Sequence, residues 1–134
     1  MAYNKHIIAH PKVKIEGVEN IILKGSLEIG ISKFGIFLNS DRTLLKIRGK
    51  LKINSSHYSI GRGCRIYIAE NAIVEFGEKG HITGFTNMII SNKLIIGDNC
   101  SISWNCQFLD DEHNYITYVS KKDKKNEIII GDNI

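Results

Sequence analysis

The sequence predicts an all-β protein wound as a parallel β-helix, and three observations carry this prediction. Isoleucines at positions 60, 66, 90, 96 and 102 recur at multiples of six residues, with Phe108 next in line. A period of six fits neither an α-helix nor a flat alternating strand. Isoleucine also accounts for 25 of the 134 residues, and this β-branched residue suits buried parallel strands.

The six-residue period predicts a triangular solenoid with three flat walls and eighteen residues in each coil. Adjacent coils would pair their backbones at a spacing of about 4.8 Å. The dipeptides Ile60-Gly61 and Ile96-Gly97 predict tight corners, where glycine permits a close backbone approach. The early coils are predicted from the aliphatic pairs Val13/Ile15, Leu27/Ile29, Leu45/Ile47 and Leu51/Ile53, with a step of eighteen from the second pair to the third.

We predict a single domain over residues 1–134. The chain is 43% hydrophobic, too short for two ordinary domains and too apolar for disorder. Residues 129–133 repeat the Ile-Ile-Gly-Asp-Asn of residues 95–99, and the stretch between them is polar and off the period. The prediction is therefore an N-terminal segment at 1–12, coils at 13–109, a protruding loop at 110–126 and the start of a further coil at 127–134.

The charge pattern requires no nucleic-acid partner. The formal net charge is +4, and the basic run at residues 121–125 contains no interleaved aromatic residue. We interpret this run as a solvated loop, and the alternative is that it attracts a phosphate-rich ligand such as a coenzyme. No stretch approaches 18 apolar residues and the N-terminus lacks a signal-peptide core, so we expect a cytoplasmic protein without a transmembrane segment.

Cysteine spacing predicts thiols rather than disulfides. Cys64, Cys100 and Cys106 are odd in number and lack a Cys-x-x-Cys spacing, which indicates neither a disulfide framework nor a zinc site. With eighteen residues per coil, Cys64 and Cys100 would lie two coils apart in the column of Ile82. Their backbones would then be roughly 9 to 10 Å apart, too far for a disulfide.

Residues whose side chains could take part in catalysis or substrate binding are concentrated between positions 104 and 115. A histidine near neutral pKa that accepts a proton from a hydroxyl contributes about 10² to 10⁴ in rate. A carboxylate two residues earlier can fix the imidazole tautomer, an asparagine can donate to an oxyanion, and a tryptophan can stack on a sugar. The candidates are His113, Asn105 and Asp111 as catalytic residues, and Trp104, Asp110 and Tyr115 as substrate-binding residues.

Each candidate also has a purely structural interpretation. A loop histidine beside acids can be an ordinary surface residue. Trp104 can cover a corner, and Asn105 can satisfy backbone groups of a turn. The residues alone leave both interpretations open.

A resemblance to a known family favours the functional interpretation. The repeated aliphatic-Gly-x-x-x-x units, the run Ile-Gly-Asp-Asn-Cys-Ser-Ile-Ser-Trp-Asn at 96–105 and the Asp-rich segment ending in His113 resemble the hexapeptide-repeat acyltransferases. The resemblance spans residues 13–134 and is strongest to the O-acetyltransferases of maltose, galactoside and surface-polysaccharide sugars. It implies a left-handed parallel β-helix, although the general rule for parallel crossovers favours the right hand.

The resemblance also implies roles for individual residues. His113 takes the position of the general base, Asn105 that of the asparagine in the acceptor and acetyl pocket, and Asp111 that of an acid often found two residues earlier. Trp104 would line the acceptor side. The family transfers acetyl from acetyl-CoA to a sugar hydroxyl, usually as a homotrimer, by direct attack on the thioester. We therefore expect acetyl-CoA as co-substrate, a sugar or glycan-precursor acceptor, no metal, and no nucleophilic role for Cys106.

Two alternatives remain beside this expectation. Relatives continue past the second Ile-Gly-Asp-Asn with further coils that hold most coenzyme contacts, so coenzyme-binding residues are not identified here. The first alternative is therefore that the chain is a truncated, non-catalytic β-solenoid used in assembly or carbohydrate binding, unless its last coil is covered by another chain. The second alternative is a zinc enzyme like the γ-class carbonic anhydrases, recruiting His81 and His113. His6 and His10 have a four-residue spacing, but Pro11 follows and no helical pattern supports a metal site.

Overall fold

The computed structural model describes residues 6–31, 38, 40–110 and 127–134, and these form short strands joined by corners. Only one turn of helix occurs among them, a 3-10 turn at Val18–Asn20. No helix in this part of the chain is long and apolar enough to span a membrane. The strands are β1 (Ile7–Ala9), β2 (Val13–Glu16), β3 (Ile21–Leu23), β4 (Ser26–Ile29), β5 (Thr43–Ile47), β6 (Lys50–Ile53), β7 (His57–Ile60), β8 (Arg65–Ile68), β9 (Ile73–Phe76), β10 (His81–Ile82), β11 (Asn87–Ile90), β12 (Lys93–Ile96), β13 (Ser101–Ile102), β14 (Gln107–Leu109) and β15 (Glu127–Ile130).

The strands form three parallel sheets, each with five strands taken from successive coils. The first sheet has the order β1-β4-β7-β10-β13, the second β14-β11-β8-β5-β2, and the third β15-β12-β9-β6-β3. The chain thus visits the three walls in turn and returns to pair with the coil before. This confirms the predicted parallel β-helix with three walls, whereas its left-handed winding stays a prediction from the resemblance.

The predicted coil length of about eighteen residues is wrong for this chain. Along the first sheet, Ile60 pairs with Ile82 and Ile82 pairs with Ile102, and in both pairs the partners are more than eighteen positions apart. Along the second sheet, the pairing of Met88 with Phe108 leads to the same conclusion. Regular coils are therefore longer than the period of six suggests.

Two additional residues in each regular coil lie at the corner between the first and second sheets, where one more side chain points inward. Cys64, Thr86 and Cys106 share this position, because the residues that follow them pair in register. Since side chains alternate along the chain, one more inward residue adds two positions. The side from Ile82 to Ile90 therefore spans eight residues, whereas the other two sides of that coil keep the six-residue spacing. In the coil that runs from Ile60 to Ile82, the side from Ile68 to Phe76 is also lengthened to eight residues, with Ala72 buried at its corner.

Two register steps are much longer than a regular coil. Leu27 pairs with Tyr58 and not with Leu45, so the prediction that the two leucines occupy equivalent positions in successive coils is wrong. Leu94 pairs with Ile128, so the step between them includes the whole of the predicted loop. Residues 32–37 and 39 in the first step and 111–126 in the second lie outside the described residues.

The predicted boundaries shift at both ends of the coils. Ile7–Ala9 is a strand paired with β4 and not part of a separate N-terminal segment, because Ile7 and Ala9 both face the core. Asp110, predicted as the first loop residue, is buried in the column of Ile90. The spacing from Ile53 to Ile60 is one residue longer than the period of six, and Ser55, whose hydroxyl donates to His57 O at 2.7 Å, lies in this corner.

The core is one stack of inward-facing aliphatic side chains, and the period-six isoleucines all belong to it. Ile60, Ile66, Ile90, Ile96 and Ile102 are buried, as predicted. Aliphatic side chains stacked in register in this way remove apolar surface from water along the whole solenoid, at about 25 cal/mol per Å².

The cysteines are free, as predicted, but their columns differ from the prediction. Cys64 and Cys100 are buried and Cys106 is half-buried. Ile82 lies in register with Ile60 and Ile102, so Cys100, two residues before Ile102, belongs to the neighbouring column with Tyr58. Cys64 instead shares its column with Cys106.

The corners depend on residues in the left-handed backbone region and on side-chain oxygens. Lys79, Asn99 and Asn133 occupy equivalent corner positions with φ of 56°, 58° and 62°. Asp98 Oδ1 accepts the Glu78 N–H at 2.9 Å, and Asp132 Oδ1 accepts the Asp98 N–H at 2.7 Å. The repeated Gly-Asp-Asn is therefore a corner motif in which each aspartate satisfies a backbone donor of the previous coil.

Glycines at the predicted corners are required by close backbone contacts. A Cβ atom on Gly61 would lie 1.3 Å from the backbone atom Thr83 O, and one on Gly97 would lie 2.9 Å from the backbone atom Gly131 C and 2.3 Å from the Asp132 side chain. These contacts are below van der Waals distance, which confirms the prediction of tight corners at these two positions.

Tyr58 is a polar exception inside the core. Its ring stacks on Phe76 with centroids 4.9 Å apart, and Gly80 leaves room for it, since a Cβ there would lie 2.8 Å from Tyr58 Cε2. Among the described residues, the Tyr58 hydroxyl is a buried polar group without a hydrogen-bond partner. Burial, and secondarily the Cys100 thiol, raises the pKa of Tyr58 well above 10.0.

We predict that Tyr58→Phe raises the free energy of unfolding by about 1 kcal/mol, because it removes a buried donor that has lost its bonds to water. Because the pKa of Tyr58 is raised in the fold, the folded parent chain retains the phenol proton at a pH where the unfolded chain has released it. The parent chain therefore keeps its full stability below pH 10.0 and loses stability above it. Urea unfolding at neutral and at alkaline pH measures both effects. The control is Tyr67→Phe on the half-exposed outer face, and a loss of stability in Tyr58→Phe would contradict the account.

Candidate functional site

The candidate site lies at the corner between the first and second sheets, which we call the Trp corner. It consists of residues 103–106 stacked on the equivalent turns 83–86 and 61–64. The Asn105 N–H donates to Gly84 O at 3.0 Å, and the Phe85 N–H donates to Arg62 O at 3.0 Å. Each turn is thus held by the turn of the coil before it.

Two aromatic rings stack at the Trp corner. The rings of Phe85 and Trp104 are nearly parallel, at 23°, with centroids 5.6 Å apart. Phe85 has a φ of 52°, which is unusual for a bulky residue, and its ring lies over Gly63. A Cβ on Gly63 would lie 2.3 Å from Phe85 Cδ1, so the glycine makes room for the ring. Trp104 is therefore held on a fixed support, with part of its surface open to solvent.

Asn105 occupies the left-handed position of this turn. Its φ is 54°, and the equivalent residues Phe85 and Gly63 also have positive φ. Asparagine tolerates this region better than most residues, which explains its presence at the turn without any catalysis. Its side chain is exposed and so is also open to a ligand.

Asp110 lies at the next corner, between the second and third sheets, where its carboxylate caps the turn of the previous coil. It accepts the N–H groups of Ser91, Asn92 and Lys93 at 2.8, 2.6 and 2.9 Å. The side chain is only 5% exposed, in a column otherwise held by aliphatics such as Ile90. These bonds give Asp110 a structural role, and its binding of substrate stays a prediction.

The structure brings only some of the predicted site residues together. Trp104 and Asn105 share one turn, whereas Asp110 lies beyond the opposite end of β14, at a different corner. Asp111, His113 and Tyr115 lie outside the described residues, so their predicted roles remain predictions. Sequence reasoning missed Phe85, because the eighteen-residue period does not place it in the turn beneath Trp104.

The same edge of the solenoid carries basic groups in its earlier coils. Arg62 Nε donates to Gly30 O at 2.7 Å, next to His10. Partial burial, followed by the cations of Arg62 and Lys12, lowers the pKa of His10 and favours the neutral imidazole. Within the described ranges, no three His, Cys, Asp or Glu side chains are grouped so as to hold a metal ion.

Comparisons with known proteins place the chain beside an uncharacterized relative. The chain is 29% identical, over 135 aligned positions, to an uncharacterized 24.8 kDa protein in the cps region of Klebsiella pneumoniae. The alignment covers 99% of this chain and 60% of that protein, so the chain spans less than two thirds of its relative. No family model matches the sequence, and no solved structure matches it.

We predict that Asp110→Asn lowers the free energy of unfolding by about 1 to 3 kcal/mol, because a neutral amide replaces the charged acceptor of three backbone donors. Chemical denaturation measures the loss. Asp132→Asn is a matched control, since the Asp132 carboxylate is exposed and accepts one corner N–H. Equal stability of Asp110→Asn and the parent chain would refute the capping role.

We also predict that the three thiols differ in reactivity. Burial raises the pKa of Cys64 to about 11, and Cys100 is buried, whereas Cys106 is half-buried at the Trp corner. Because the thiolate is the reactive form, a maleimide at neutral pH should modify Cys106 first in the folded protein. Peptide mass spectrometry after timed quenching reports the order, and prior labelling of Cys64 would contradict the described core.

Proposed function

We propose that the chain is an acyltransferase that moves an acetyl group from acetyl-CoA to a hydroxyl of a sugar or a surface-polysaccharide precursor. The observation that carries the proposal is the Trp corner, which holds Trp104 flat on Phe85 beside an exposed Asn105. A flat, partly exposed indole suits a sugar face, and an exposed amide suits a carbonyl oxygen. The relative's location in a cps region is compatible with a polysaccharide acceptor.

In the proposed reaction, the acceptor hydroxyl oxygen attacks the thioester carbonyl carbon directly. His113 takes the hydroxyl proton, and Asp111 orients the imidazole. Asn105 donates a hydrogen bond to the oxyanion that develops on the carbonyl oxygen. The carbon–sulfur bond then breaks, and the coenzyme leaves as the thiol after taking up the proton, so the products are an acetyl ester and free CoA.

We also propose that the protein works as a homotrimer. Ile89 and Leu109 are register partners on the outer face of the second sheet, and both are exposed. Exposed apolar side chains that adjoin in this way support a contact with another subunit. Cytoplasmic location stays a prediction of the sequence.

We predict that His113→Ala lowers acetyl transfer by about 10² to 10⁴-fold while the circular dichroism spectrum is unchanged, because the proposed general base is lost. Release of CoA thiol in the presence of mono- and oligosaccharide acceptors measures the rate. Cys106→Ala is the control for the thiol and should transfer normally.

The matched variant for Asn105 is Asn105→Gly. Glycine keeps the positive φ of 54° without strain and removes only the amide, so a fall in turnover at unchanged stability would report on catalysis. Folded protein without transfer to any acceptor would favour the non-catalytic solenoid instead.

A further inference from the structure

A second group of reactive side chains lies far from the Trp corner, on the outer face of the first sheet. Ser26 on β4 and His57 on β7 are register partners, and Glu28 follows two residues after Ser26 on the same outer face. Ser26 Oγ lies 2.8 Å from His57 Nδ1, and His57 Nε2 lies 3.8 Å from Glu28 Oε2. The three side chains form a serine, imidazole and carboxylate series on two paired strands.

The carboxylate decides which ring nitrogen carries the proton. A negative charge beside Nε2 favours the tautomer with its proton on that nitrogen, which leaves Nδ1 free to accept from a hydroxyl. The contact of 3.8 Å is electrostatic and longer than a hydrogen bond. In this tautomer the Ser26 hydroxyl faces a base at 2.8 Å.

The backbone holds Ser26 in place. Its N–H donates to Ser56 O at 3.0 Å, and a Cβ on the preceding Gly25 would lie 2.2 Å from the same oxygen. Ser26 Oγ also lies 3.3 Å from Ser56 O, a longer contact than the one to His57 Nδ1. The glycine thus allows the strand to begin close to its neighbour. Strand positions fix the separation of serine and histidine more rigidly than loop positions would.

An open cleft of about 330 Å³ is lined by His6, Ile22, Leu23, Lys24 and Gly25. Gly25 is the residue before Ser26 in the chain. Ile22 and Leu23 offer apolar surface for a short acyl chain. Lys24 also lines the wall, and its Nζ is paired with Glu78 Oε1 at 3.1 Å.

We propose that Ser26 is a nucleophilic serine that accepts an acyl group from an activated ester of a short acyl chain. Ser26 Oγ forms a bond to the ester carbonyl carbon while the hydroxyl proton passes to His57 Nδ1. The bond from that carbon to the leaving oxygen breaks with its electron pair, and the leaving alcohol takes the proton. The products are acyl-Ser26 and a free alcohol, with Glu28 as the positioning residue.

The test is active-site labelling of the folded 134-residue chain with a short-chain fluorophosphonate, followed by intact-mass and peptide mass spectrometry. We expect one adduct per chain, on Ser26, and none in Ser26→Ala. His57→Ala should label about 10²-fold more slowly. Glu28→Gln should label at an intermediate rate with an unchanged melting temperature, and Glu28→Asp should recover part of the loss.

The controls are Ser59→Ala and His81→Ala, a serine and a histidine that are register partners on the same face. Both should label like the parent chain. Absence of labelling, adducts spread over several serines, or a parent-like rate in His57→Ala would overturn the proposal. The outcome is independent of acetyl transfer, since none of these residues belongs to the Trp corner.

Discussion

Register between successive coils is the constraint on which the rest of the structure depends. Every described strand pairs in parallel with the strand one coil away, so the length of each coil must match that of its neighbours or be absorbed at a corner. The corners meet this requirement with left-handed residues such as Asn99 and Asn105, and with carboxylates such as Asp98 that accept N–H groups from the adjacent coil. Asp110 performs the same function from inside the column of Ile90, where a charge is tolerated because three donors surround it.

The fold class followed from the sequence because aliphatic spacing directly reports which residues face the interior. Ile90, Ile96 and Ile102 are six residues apart and buried, as the period requires. The coil length did not follow, because Thr86 is a polar residue at an inward position and its hydroxyl is satisfied by backbone groups, including Ser103 O at 3.3 Å. An inward threonine carries no hydrophobic signal, so the lengthening of the coil at this corner was invisible to the pattern.

Only the part of the candidate site formed by residues adjacent in sequence was predicted. The prediction named Trp104 and Asn105, and these residues do share a turn. Phe85, whose ring supports Trp104, lies one coil earlier and becomes adjacent to Trp104 only because the two coils are aligned in register. Sequence reasoning missed the Ser26, His57 and Glu28 series for the same reason. Ser26 and His57 are far apart in the chain, and they become neighbours only because the coil that separates them is longer than a regular coil.

Rigid stacking would allow one scaffold to hold the two chemistries proposed above. The Trp corner and the outer face of the first sheet both contain backbone hydrogen bonds to the adjacent coil, such as those of Asn105 and Ser26, so we expect substitutions of exposed side chains there to leave the core intact. The measurement that tests the central functional claim most directly is calorimetric titration of acetyl-CoA into the folded 134-residue chain. The account predicts saturable binding that weakens in Asn105→Gly. Heats no larger than dilution, in protein that retains its β spectrum, would contradict the acetyl-transfer proposal.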